Sequence, residues 1–331
     1  MNKSELTMLQ NLPLEIKIAK SKLRIEEFVR HLGGEEKVYI SFSGGKDSTV
    51  LLHLVRTMYP NIEAVFSNTG LEYPEIVDFV KSKENITIVR PKKSFKQVIE
   101  QYGYPVVSKK TSRMLKDLQN PTNRNLRIRT LYLSKFTLDK DGNPTTIKNN
   151  SFRLADKWKY LIDAPFKISN RCCDILKKNP IHDYEKISKK KPIIGTMANE
   201  SKMRESSYLQ TGCNSFNEGK EKCQPLGFWT EQDIFQYIKQ FNLSYATVYG
   251  DIIKNKEGKW VTTGESRSGC IWCMYGIHLE KGQNRFQRLE LTHPQLHDYC
   301  MNKLGFKEVC EYMSIPYSNK EELNNGKEIC K

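Results

Sequence analysis

No stretch of the 331 residues approaches the roughly 18 consecutive apolar side chains that cross a bilayer, so a membrane-spanning role is not expected. Nor does an uninterrupted apolar centre follow the first residues: MNKSELTMLQNLPLEIKIAKSKL mixes charged with apolar positions, which predicts a cytoplasmic protein without a secretory leader. No internal repeat is present. The nucleotide pattern G-x-x-x-x-G-K-[ST] is missing as well, because Ile40 stands five residues ahead of Gly45 and Asp47 follows Lys46; the usual NTPase loop is therefore excluded. Acidic residues are scarce, 38 against 53 Lys and Arg, for a net charge of +15. Mean hydropathy is −0.61, and a chain of this length buries a full core in one large or two modest domains.

What is present begins with KVYISFSGGKDSTVLLHL over 37–54, a short apolar strand, a glycine turn and an apolar run of helical type. Such a turn leaves backbone N–H groups unshared, and Gly44 and Gly45 let a ligand approach them. Ser41, Ser43 and Ser48 add hydroxyls, Lys46 an ammonium and Asp47 a carboxylate suited to Mg²⁺. The chemistry predicted is that of a polyphosphate site.

Apolar spacing predicts a leading helix over 6–31, ended by Gly33-Gly34. Strands are expected at 38–42, 63–67, 86–89 and 192–195, with helices at 48–58 and 74–81 between the first three. This alternation implies a parallel sheet built by right-handed crossovers. Thr230 and Asp233 suit the cap of an amphipathic helix that starts the C-terminal part. The expected division is 1–35 as a helical segment, 36–228 as an α/β domain with an insertion at 106–167, 229–317 as a helical C-terminal part carrying a C-x-x-C, and 318–331 as a polar tail. The insertion holds fourteen Lys or Arg against five Asp or Glu, with Tyr132, Phe136, Phe152, Trp158 and Tyr160 interleaved. It reads either as a polyanion-binding face for DNA or RNA or as a solvated insertion.

Nine cysteines in a chain of this size point to metal or redox chemistry rather than to disulfides. Cys172-Cys173 and the pair Cys270/Cys273 supply four thiols, which fit a tetrahedral zinc or an iron–sulfur cluster. Neighbouring side chains diverge and make poor joint ligands of one small ion, so a [4Fe-4S] cluster is preferred. Arg171, Lys177 and Lys178 would offset its charge. Cys213, Cys223, Cys300 and Cys310 read as small buried hydrophobes. His278 reads as a packed histidine, and Trp272 as either a shield over the metal or a packing residue.

Read together, these motifs resemble the phosphoadenosine phosphosulfate (PAPS) reductase family of the PP-loop ATP pyrophosphatase superfamily, in its iron–sulfur-bearing branch. The resemblance rests on SFSGGKDSTVLLHL, on NTGLEYPE at 68–75, on CCDILK at 172–177 paired with GCIWC at 269–273, and on IGTMANESKMR at 194–204. It implies an α/β fold of the adenine nucleotide alpha-hydrolase-like (Rossmann-like) type, a parallel sheet flanked by helices with the ligand at the strand ends. It further implies nucleotide contacts from Ser41, Ser43, Gly44, Gly45, Lys46, Asp47, Ser48, Asn68, Thr69, Gly70, Gly195 and Thr196. Lys46, Asp47 and Arg204 become the catalytic candidates, and Cys172, Cys173, Cys270 and Cys273 the metal ligands. Glu72, Tyr73 and Glu200 are candidates for the adenosine end.

Two departures bear on the reaction. Met197 stands where the reductases carry an arginine, and the terminal Glu-Cys-Gly-[Leu/Ile]-His motif is missing, with only Glu328-Ile329-Cys330 similar to it. Sulfonucleotide reductases commonly lose the Gly-Lys-Asp core of the loop, whereas it is whole here. The reading that follows is ATP cleavage to an adenylate and pyrophosphate, with Mg²⁺, in sulfur transfer or thiolation onto nucleic acid, with a donor such as a cysteine desulfurase. The alternatives are a sulfonucleotide (APS/PAPS) reductase using Cys330 as nucleophile, and a nucleotide-binding module without catalysis. A homodimer stays open.

Overall fold

A computed structural model describes residues 1–134, 136–146 and 152–319. They form two compact units, one from Met1–Lys92 with Lys177–Gly269 and the other from Lys93–Leu176 with Cys270–Lys331. This division differs from the one expected. Residues 229–269 go with the sheet because Trp229, Ile234, Phe235, Ile238 and Ile252 pack into its core. Residues 106–167 are no loose insertion: Met114, Leu115, Leu118 and Leu161 are buried, and the segment forms much of the second unit.

The first unit opens with two helices, α1 (Lys3–Gln10) and α2 (Leu14–Leu32), where a single one was expected. The reason is local. The Asn11 N–H closes α1 on Thr7 and Met8, and Pro13, which has no N–H to give a continuous helix, sits extended at φ −54° and ψ 148° ahead of α2. α2 ends as expected: Gly33 turns at φ +92° and the Gly34 N–H reaches the Val29 carbonyl at 3.1 Å.

The sheet holds β1 (Val38–Ser41), β2 (Ala64–Ser67) and β3 (Ile86–Val89), with α3 (Lys46–Arg56) and α4 (Pro74–Lys81) as the crossovers. Its order is β3, β2, β1, Lys191–Ile194, Lys222–Cys223, Asn214–Ser215, and all pairs but the last are parallel. The α/β parallel sheet is thus the one expected. β1 and β2 are buried on both faces, which is why they read as continuous apolar runs. The chain lays strands to one side of β1 and then returns to its other side with Lys191–Ile194, so the strand order reverses there. Crevices of open α/β sheets form at the C-terminal strand ends at such a point.

α2 packs on α3 and on the helix Glu231–Gln240. Lys17 on α2 is 1% exposed, and its ammonium lies 2.6 Å from the Asp233 carboxylate and 2.7 Å from the Gln10 carbonyl.

The second unit contains the helices Phe95–Tyr102, Lys109–Gln119 and Leu126–Leu133, and a hairpin of Phe136–Leu138 with Pro144–Thr146. Its C-terminal part adds Arg285–Thr292, Pro294–Asp298 and Phe306–Tyr312. Val106–Val107 and Met274–Tyr275 join the two chain segments as a short parallel pair. Among the described residues no helix is long and apolar enough to cross a membrane.

Candidate functional site

The turn Ser43-Gly44-Gly45 leaves β1 and enters α3. Gly44 is held at φ +72°, and a Cβ there would meet the Ile76 and Val80 methyls of α4 at 2.8 Å. The loop is therefore pressed against α4 on one side, and only glycine fits. On the other side Ser43 and Ser48 close it: their hydroxyls are 3.0 Å apart, the Ser43 N–H donates to the Ser48 hydroxyl at 3.2 Å, and the Ser48 hydroxyl donates to the Gly45 carbonyl at 2.9 Å.

The turn faces a cleft of about 560 Å³, within the usual range for small-molecule sites. Ser41, Ser43, Gly45, Lys46, Asp47 and Ser48 line it from the loop, and Gly195, Thr196, Glu200 and Arg204 from the end of Lys191–Ile194 and the turn beyond. The two halves meet because β1 and Lys191–Ile194 are paired in parallel, Ser41 opposite Ile194. Four predicted nucleotide residues are not among those that line the cleft. Gly44 is turned into α4, and Asn68, Thr69 and Gly70 form a turn closed on itself. In that turn the Glu72 carboxylate accepts from the Thr69 N–H at 2.9 Å and the Thr69 hydroxyl at 2.8 Å, and Asn68 accepts from the Gly70 N–H at 3.1 Å. Glu72 is thus a staple of its own loop, and Tyr73 is buried.

Sequence reasoning missed one wall. Glu231, Tyr249, Arg267, Ser268 and Gly269 line the cleft from residues far along the chain. Lys46 reaches this wall. It is 5% exposed, donates to the Ser266 carbonyl at 2.6 Å, pairs with Glu231 at 2.8 Å and lies over the Phe235 and Tyr249 rings. The Tyr249 hydroxyl donates to Ser268 at 2.5 Å, and burial pushes its pKa up to about 12. The only hint in the sequence was the polar run E-S-R-S-G immediately before the C-x-x-C.

The cleft carries Lys46, Lys177, Arg204 and Arg267 against Asp47, Glu200 and Glu231, an excess of cations suited to an anion. Arg204 pairs with Glu200, whose carboxylate also accepts from the Met197 N–H at 2.8 Å. Burial lowers the Arg204 pKa, and the Arg267 charge lowers it further. Asp47 is raised, chiefly by burial, with Lys46 opposing and Glu231 adding. Its Oδ1 is out of water and has no hydrogen-bond partner, an orphan that a bound cation would satisfy. Asp47 thus fits Mg²⁺.

The four predicted metal ligands all belong to the second unit. The Cys172 and Cys173 sulfurs are 3.9 Å apart, at the start of a turn that continues as the π-helical Asp174–Lys178. Such π-turns concentrate at functional sites. Cys270 and Cys273 share a turn closed by the Cys273 N–H on the Cys270 carbonyl at 3.1 Å. The Cys172 thiol is pushed well up by its hydrogen bond with Cys173, then by burial and by the charges of Cys173, Cys273 and Cys270. Burial, and next Cys270, push Cys273 up to about 11. None of the described cysteines is in a disulfide, and among the described residues no three His, Cys, Asp or Glu side chains converge as a site for one metal ion. Tyr275 adjoins the thiols: burial raises its pKa, the charges of Cys172 and Cys173 add to that, and Ser112 offsets part. The two cysteine pairs thus lie in one unit, near enough for their charges to act on one another.

Trp272 packs rather than lying free: it is 7% exposed, its indole N–H donates to the Leu296 carbonyl at 3.2 Å, and its ring meets Phe95 and Tyr299. His278 packs edge-on against Trp158. On the basic segment, Lys110, Arg113, Arg124, Arg127, Arg153, Lys157 and Lys167 are exposed, together with Phe152 and Tyr160. Lys110 lies over the Phe152 ring and Lys157 over Trp158. The terminal Cys330 lies outside the described residues.

Among known proteins, an uncharacterized protein of Methanocaldococcus jannaschii is 23% identical over 259 residues, 77% of this chain and 44% of its own length, so this chain spans less than half of that relative. Two solved structures are also similar. One is a phosphoadenylyl-sulfate (PAPS) reductase from Candida auris in a phosphate complex, with a TM-score of 0.40, 12% identity and coverage of 78% of this chain and 98% of that one. The other is the U34-tRNA thiolase NcsA from Methanococcus maripaludis with its [4Fe-4S] cluster, with a TM-score of 0.37, 15% identity and coverage of 96% and 87%. The phosphoadenosine phosphosulfate reductase domain matches residues 37–255, which take in β1, the glycine turn, Arg204 and the paired Lys191–Ile194, and the chain belongs to that family.

Proposed function

We propose that the chain binds ATP with Mg²⁺, cleaves it between the α and β phosphates to an adenylate and pyrophosphate, and uses the adenylate to introduce sulfur into an acceptor. The observation that carries this reading is the whole loop Ser43–Ser48 at a cleft with an excess of cations, whose lining includes Asp47 with a buried carboxylate oxygen that has no hydrogen-bond partner. Pyrophosphate is the leaving group that such a loop suits: N–H groups and hydroxyls meet its oxygens, and Lys46 and Arg267 its growing charge. An acceptor oxygen attacks the α phosphorus, the bond to the α,β-bridging oxygen breaks, and pyrophosphate departs with the electron pair. Sulfur at the sulfide level then replaces the adenylated oxygen, and AMP leaves.

Cys172, Cys173, Cys270 and Cys273 would hold a [4Fe-4S] cluster. Adjacent Cys172 and Cys173 make poor joint ligands of one small ion, which favours a cluster over a single zinc. When bound, the cluster supplies a sulfur-binding metal surface. The acceptor class that the exposed cations and rings of 106–167 favour is a nucleic acid, since phosphates meet Lys and Arg while bases stack on Phe152 and Tyr160. A cysteine desulfurase would supply the sulfur.

The test is turnover of α-labelled ATP by anaerobically purified protein, with and without RNA or DNA, beside an iron and sulfide assay. AMP and pyrophosphate that form with wild type and disappear in Lys46→Ala support the reading. Release of sulfite from APS or PAPS in their place would assign the chain to reduction, with Cys330 as the candidate nucleophile. Stoichiometric zinc without iron would remove the cluster.

A further inference from the structure

Glu231 opens the helix Glu231–Gln240, and the Thr230–Asp233 capping box fixes that end: Thr230 accepts from the Asp233 N–H, and the Asp233 carboxylate accepts from the Thr230 N–H at 2.7 Å. From there its carboxylate enters the cleft wall and takes the Lys46 ammonium at 2.8 Å. Lys46, the cation of the phosphate loop, is therefore already engaged by an acid in the same cleft. A nucleotide entering without a counter-ion meets the Glu231 charge and finds Lys46 occupied. The second carboxylate that lines this cleft beside the loop, Asp47, has a buried oxygen without a partner, and the Glu231 charge acts on it. Divalent magnesium is commonly held by one or two carboxylates together with substrate phosphates.

We propose that Glu231 is the second carboxylate of this cation site and that it exchanges partners on nucleotide binding, giving up Lys46 and taking the divalent ion. Before the exchange it is the Lys46 ammonium that neutralises Glu231. With Mg²⁺ and nucleotide bound, Glu231 and Asp47 face the metal, and Lys46 is released toward the phosphates. The exchange makes tight nucleotide binding conditional on the cation. It rests on the ATP reading above and assigns to that site a residue that the loop motif does not contain.

The experiment is calorimetric binding of a non-hydrolysable ATP analogue to the full chain, in Mg²⁺ and in EDTA, for wild type and Glu231→Gln. Glu231 is half exposed, so the variant is expected to fold, and its melting temperature checks this. In EDTA, Glu231→Gln should bind about fivefold tighter than wild type, because Lys46 then keeps its bond to the Ser266 carbonyl but no longer faces a neutralising carboxylate. In Mg²⁺ the order should reverse, with the enhancement by the metal cut about tenfold. Mn²⁺ in place of Mg²⁺ gives a second readout: its bound fraction, followed by electron paramagnetic resonance with the analogue present, should fall in the variant. Identical responses to the metal in both proteins would overturn the exchange while leaving the ATP reading intact. Failure of wild type to bind the analogue under either condition would overturn both.

Discussion

The residue that most constrains the site is Asp47. A buried carboxylate oxygen without a partner destabilises the fold that holds it, and such costs are tolerated where function needs the charge. The direction follows from the raised pKa. The folded carboxyl keeps its proton to a higher pH than the unfolded one, so its contribution is fully present below the ordinary carboxylate range and is lost as pH rises through the raised value. Asp47→Asn removes that loss. Without Mg²⁺ the variant should be more stable than wild type by about 1 kcal/mol at neutral pH, and the gap should close as the pH falls through the raised value. Melting curves of both proteins across pH 4 to 8 (roughly the span over which a raised carboxyl titrates) check the sign. Wild type should regain the difference on adding Mg²⁺ and nucleotide.

At the scale of elements, the phosphate turn is set by what α4 leaves room for. Gly44→Ala places a methyl against Ile76 and Val80 at a backbone angle that disfavours side chains, and should destabilise by about 2 kcal/mol in chemical denaturation. The same turn explains how much of the site could be read from the chain. Strand, glycines, Lys46, Asp47 and the Gly195–Arg204 end are local signals, each carried by neighbours in sequence, and the structure brings them together through one strand pair. The caps behaved likewise: Thr230 and Asp233 are three residues apart and meet as expected. Glu231, Tyr249, Arg267 and Ser268 were not legible, because nothing near them in sequence reports that Lys46 lies across from Ser266, 220 residues away in the chain. The Asn68–Gly70 turn misled for the opposite reason. Its polar groups suit a ligand, but Glu72 three residues on consumes them. Pro13 was visible, and its absent N–H should have divided the leading helix.

For the whole molecule, the excess of positive charge is concentrated: the segment 106–167 holds fourteen of the 53 Lys and Arg against five of the 38 Asp and Glu, and among its described residues Lys110, Arg113, Arg124, Arg127, Arg153, Lys157 and Lys167 are exposed, as are Phe152 and Tyr160. If these contacts take nucleic-acid phosphates, affinity must fall steeply with salt. Replacing Arg124 and Arg127 with Gln should then lower the slope of log K against log salt by roughly 1 to 2, while binding of the ATP analogue in the first unit is unchanged. Fluorescence anisotropy of labelled RNA over a salt series measures the slope. Equal slopes for the two proteins would remove these arginines from the interface.

The position of Lys191–Ile194 at the centre of the sheet has a consequence for biosynthesis. β1 is made before residues 93–176, and the strand that covers its second edge only after them. At ordinary elongation rates that is a wait on the order of ten seconds, during which an apolar strand edge has no native neighbour. Synonymous changes that slow translation between residues 93 and 190 should therefore lower soluble yield without altering the finished protein, as the yield of folded protein from matched expression cultures would show.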